Sequence, residues 1–103
     1  MAQFVIKYGR LAIEDLQTSY DWGVENWGVR QANEWVSRIE EVIAKRLTWM
    51  PLACPLAPES EVYDFEIRQL VLHRYRILYG VENDFVYVLR VRGPFSDTNF
   101  EFE

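Results

Sequence analysis

The feature that most constrains this chain is a change in the spacing of its apolar residues. Between Ile13 and Leu47 they recur every three or four positions; from Phe65 to Arg92 they recur every second position. The first spacing lays an apolar stripe along a helix, and the second gives a strand one apolar face. A chain that completes one pattern before starting the other predicts helices segregated from strands, the α+β class.

The helical part divides in two. Ile13, Leu16, Tyr20, Val24 and Trp27 form one stripe, and Gly28 follows directly as a stop signal. Ala32, Trp35, Val36, Ile39, Val42, Ile43 and Leu47 form the second, with Arg38, Glu40, Glu41 and Lys45 between them. So little chain separates the stripes that the helices should fold back as an antiparallel hairpin. Trp27 and Trp35 fall on the stripes and are expected in the core. Trp22 lies off its stripe, at the helix–sheet seam or against a partner.

Strands flank this hairpin. Phe4 to Tyr8 is β-rich and closed by Gly9, which reads as a first strand. Pro51, Pro55 and Pro58 stop the second helix and make residues 50–63 an irregular connection. After that, Phe65, Ile67 and Gln69 alternate with Glu66, Arg68 and Leu70. Tyr75, Ile77, Tyr79 and Val81 alternate with Arg74, Arg76 and Leu78, and Phe85, Tyr87, Leu89 and Val91 with Val86, Val88, Arg90 and Arg92. Glu82-Asn83-Asp84 reads as the turn of a tight hairpin. The expected order is β-α-α-β-β-β, an antiparallel sheet packed on an N-terminal helical hairpin. Tyr75, Tyr79 and Tyr87 are assigned to the core face.

Length and composition bound the rest. The 103 residues, half of them apolar, suit a single domain over residues 1–103. No stretch approaches the roughly 18 apolar residues of a membrane span, and the N-terminus is too short and too alternating for a signal peptide. Cys54, the single cysteine, can form no internal disulfide. A cytoplasmic protein is expected, without membrane contact, metal site or cofactor.

The formal charge is −5, which argues against nonspecific binding to nucleic acid. Its distribution is uneven. Arg68, Arg74, Arg76, Arg90 and Arg92 share their segment with only Glu82 and Asp84. Alternation places Arg74 and Arg76 on one face of a strand, and Arg90 and Arg92 on one face of the next. If the faces coincide, four guanidinium groups converge, with Arg68 as a fifth candidate. Like charges so placed need a counter-charge or an anionic ligand. Two readings stay open: Asp64, Glu66 and tail acids neutralise them at a solvated face, or they bind an anion or a partner. Glu66 and His73 likewise read either as an acid–base pair or as an arginine's counter-ion and a turn residue. Cys54, flanked by prolines and without a basic neighbour in sequence, is not read as a nucleophile.

The run Ile67-Arg68-Gln69-Leu70, Tyr75-Arg76-Ile77-Leu78-Tyr79 and Val86-Tyr87-Val88-Leu89-Arg90-Val91 resembles the end of toxins of the RelE/ParE superfamily, which includes plasmid stabilisation proteins. Ala12 to Leu16 is similar to that family's first helix, and Pro51 falls where its second helix ends. The resemblance spans roughly residues 4–92. It implies a bacterial toxin held silent by a cognate antitoxin, acting either ParE-like on DNA gyrase or RelE-like on messenger RNA in the ribosome.

By the same resemblance, Arg76 occupies the place of the ribonucleases' phosphate-contacting arginine, and Arg68 that of one of two lysines. Glu66 stands where the other lysine would be. Gly93-Pro94-Phe95-Ser96-Asp97 replaces a basic segment, and no lysine follows Lys45. These departures favour a ParE-like toxin acting by binding. The alternatives are a ribosome-dependent endonuclease using Arg76 and Arg68 with His73 and Glu66, or a non-toxic interaction module. Arg74, Arg90 and Arg92 are then binding candidates. Residues 93–103, where Phe100 and Phe102 alternate with Glu101 and Glu103, read as a flexible end, a partner-binding strand or a shield over the arginines. Exposed apolar helix edges are compatible with a homodimer.

Overall fold

The computed structural model describes residues 3–93, and the expectations for the tail lie outside them. Its elements run β1 (Val5–Tyr8), α1 (Arg10–Trp27), α2 (Val29–Leu47), a 3-10 turn (Pro58–Glu61), β2 (Arg68–Leu72), β3 (Tyr75–Glu82) and β4 (Phe85–Arg92). The helices are joined by Gly28 alone, whose φ of 95° a side chain would resist. Lys45 and Arg46 end α2 with positive charge beside its partially negative carbonyl terminus.

The sheet order is β1-β4-β3-β2. The last three strands pair antiparallel through two tight turns. Their first residues, His73 and Asn83, carry left-handed backbones (φ 54° and 55°). Asparagine and histidine are among the side chains that most readily enter this region. β1 adds beside β4 in parallel, from Val5 opposite Phe85 to Tyr8 opposite Val88, so the sheet is mixed at this edge.

The helical hairpin covers one face. Ala12, Ile39, Ile43 and Leu47 pack there on Leu70, Tyr75, Ile77, Tyr79, Val86, Val88 and Val91. The opposite face is partly covered as well. The connection after α2 folds back over it, and Ala57 joins Ile67 and Leu78 in a second, smaller core edged by Tyr63 and Leu89.

Two expectations about faces need correction. The pairing of β3 with β4 slips between Leu78 and Tyr79: Tyr79 faces Val88 while Leu78 faces Arg90, leaving Leu89 as an extra residue. Such a bulge breaks strict alternation. Val86 and Val88 therefore enter the core in place of Phe85 and Tyr87, and Tyr87 is exposed. In α1 the buried residues are Ala12, Ser19 and Gly23, so the line facing the sheet and α2 runs beside the apolar stripe. Ile13 and Trp27 lie at the surface, 56% and 44% exposed. Trp27 meets Trp22 edge-on, centroids 5.0 Å apart, at the hairpin tip. Trp35 does pack against the core, beside Tyr75 and His73.

Candidate functional site

The arginines do not gather into one patch. Arg90 turns to α1. Its Nε and Nη2 donate to the two carboxylate oxygens of Asp15 at 2.8 and 2.9 Å, and the Val91 N–H donates to Asp15 Oδ2 at 2.9 Å. β1 ends opposite Val88, so β4 continues past it with an unpaired edge, which Asp15 closes. Both side chains are nearly buried.

Arg76 lies in β3 directly opposite Arg92 of β4. Its Nε donates to Gln69 Oε1 at 3.0 Å, and its two terminal nitrogens grip Glu59 at 3.0 and 2.7 Å. Hydrogen bonds from Arg76, opposed by burial and aided by the charges of Arg76 and Arg92, hold the Glu59 carboxyl below the ordinary carboxylate range. Arg68 donates through Nη1 to the Cys54 carbonyl at 2.8 Å and approaches Glu66 at 3.8 Å. Nearby, the Tyr79 hydroxyl is buried, donates to the Pro51 carbonyl at 2.6 Å, and stays protonated because burial disfavours the phenolate. Arg74 sits exposed in the turn between β2 and β3.

Glu66 and His73 flank opposite ends of β2. At about 3.3 Å per residue, the strand holds them roughly 20 Å apart. They cannot share a proton on one phosphate, and the structure does not bring them together as an acid–base pair. His73 is an exposed turn residue, its ring 5.8 Å from that of Trp35.

The displaced stripe of α1 makes a second feature. Tyr8, Ile13, Leu16, Tyr20, Val36 and Glu40 line an apolar groove of about 410 Å³ between the helices. Burial and then Glu40 push the Tyr8 hydroxyl up to about 12, so it remains a neutral donor at the groove rim. Asp15, Glu59 and this groove are what residue patterns missed. The one signal available was the weak apolarity of Ala12, Ser19 and Gly23, which lets them bury against a neighbouring helix.

No described helix is long and apolar enough to cross a membrane, and the described residues contain no metal-binding cluster of His, Cys, Asp or Glu. A two-helix hairpin on a four-strand sheet in this order defines an α+β domain of the RelE/ParE type. The family of the ParE toxin of type II toxin–antitoxin systems (parDE) matches residues 6–93, and the chain belongs to that family. Among solved structures, it is similar to a chain of the chromosomal ParDE TA system from P. aeruginosa: TM-score 0.73, 26% identity, 88% of this chain and 96% of that one covered. No curated protein matches it.

Proposed function

We propose that this chain arrests growth by binding an essential target, with DNA gyrase the favoured one, and that a cognate antitoxin neutralises it. The observation that carries a binding role is the state of the arginines. Arg68, Arg76 and Arg90 each hold partners within the chain, and Glu66 and His73 stand at opposite ends of β2. Cleavage of RNA by its 2′-hydroxyl needs cations, a base and an acid around one phosphate. That convergence is absent among the described residues, which weighs against the RelE-like alternative. Membership of the ParE family supports the toxin role, and the similar ParDE system supports an antitoxin partner. The groove between α1 and α2 suits the apolar face of an amphipathic helix, a common mode of peptide capture. A cytoplasmic location follows from these partners.

The test is gyrase supercoiling of relaxed plasmid with the purified chain, beside translating ribosomes on a defined messenger. Loss of supercoiling with gyrase-linked DNA breaks and an intact messenger is expected. Codon-spaced cuts in the messenger, with gyrase unaffected, would reverse the assignment.

A further inference from the structure

The grip of Arg76 on Glu59 has the geometry of ligand recognition. A guanidinium presents two parallel donors to two oxygens of one carboxylate, and Gln69 fixes the plane of the fork through Nε. Three further observations bear on it. Arg92 sits directly opposite Arg76, and its charge acts on Glu59 together with that of Arg76. Glu59 rides on a four-residue 3-10 turn held in place by the Ile67 N–H donating to Ser60 Oγ at 3.1 Å and by the Ala57 N–H donating to the Ile67 carbonyl at 2.7 Å. Exchange therefore concerns the Glu59 side chain alone, with the turn staying in place. And the pair is reachable, the Arg76 side chain being 34% exposed.

We propose that Gln69, Arg76 and Arg92 form a receptor for a carboxylate side chain of an acidic protein segment, and that Glu59 occupies it in cis until such a segment displaces it. The resident group is a carboxylate, so the site is already shaped for one. Arg74, exposed in the adjoining turn and without a hydrogen bond or ion pair among the described residues, extends the positive surface along which an acidic segment would lie. The site does not depend on which target the toxin binds.

The experiment measures binding of a fluorescently labelled hexaglutamate peptide to the full chain by anisotropy, with circular dichroism as the check on folding. Glu59→Gln should bind about tenfold tighter than wild type, the scale of freeing one charge-assisted pair. Adding Arg76→Gln should return affinity to the wild-type level, and inorganic phosphate at matched ionic strength should compete no better than chloride. Equal affinity of wild type and Glu59→Gln, or indifference to Arg76→Gln, overturns the proposal. So does phosphate displacing the peptide at lower concentration. Glu59→Ala is the second variant. If neither substituted chain folds, Glu59 belongs to the scaffold and the receptor assignment fails.

Discussion

Two arginine forks in this molecule look alike and do different work. Arg90 and Asp15 meet where α1 crosses the edge of β4, with side chains only 11% and 12% exposed. Arg76 and Glu59 meet on the open side of the sheet, 34% and 20% exposed, with the acid on a short turn that begins at Pro58. The first pair also closes a strand edge, since Asp15 accepts the Val91 N–H. Loss of Asp15 takes a bidentate carboxylate from a nearly buried guanidinium and the acceptor from the Val91 N–H. The second pair is wetter, and its acid is carried by a turn beside the smaller core and not the main one. Burial and anchoring, rather than the chemistry of the fork, separate a structural bond from an exchangeable one.

Substitutions can break that contrast. Asp15→Ala is expected to cost about 3–5 kcal/mol, because Arg90 is left charged and buried; urea unfolding checks it. A loss near that of an exposed pair would mean that the two forks are equivalent. Gly93→Ala comes next. A Cβ there would lie 2.5 Å from the Tyr75 ring, whose hydroxyl is tied to Ser19 Oγ at 3.1 Å and cannot readily yield. A loss of about 1–3 kcal/mol is expected from this overpacking where β4 ends, read as a lower thermal midpoint.

Glu59→Gln is the smaller effect, about 0.5–1 kcal/mol, as for a partly exposed pair. Its pH dependence has a definite sign. Folding lowers the Glu59 pKa from the ordinary 4.5, so its contribution is complete above that value. The contribution is lost as pH falls through the lower folded value. Wild type and Glu59→Gln should therefore differ in stability at pH 7 and converge in acid. A gap that persists well below pH 4, or that widens there, contradicts the assignment.

The helix-to-strand order was legible because each period persists over many residues: the stripe from Ala32 to Leu47 and the alternation from Tyr75 to Val81 match the elements formed. Gly28 and Glu82-Asn83-Asp84 marked their turns for the same local reasons. What failed to show was non-local. The bulge at Leu89 adds one residue to β4 without a glycine or proline to announce it, and it moves Tyr87 out of the core. The buried line of α1 uses Ala12, Ser19 and Gly23, which apolarity scales rank below Ile13 and Trp27 although only small residues fit there. Asp15 is 75 residues from Arg90, and Glu59 is 17 from Arg76. Neither partner follows from spacing along an element, so the sequence left convergence and neutralisation both open, where the fold turns Arg68, Arg76 and Arg90 to separate partners.

The central claim is that this ParE-family chain acts by binding and not by cutting RNA. The most direct measurement induces it alone in growing cells and follows chromosome integrity and messenger 5′ ends in the same culture from the first minutes. Growth arrest with DNA breaks and unchanged messenger ends is the predicted result. New messenger ends within coding regions while the chromosome stays intact would contradict the account and return Arg68 and Arg76 to catalysis.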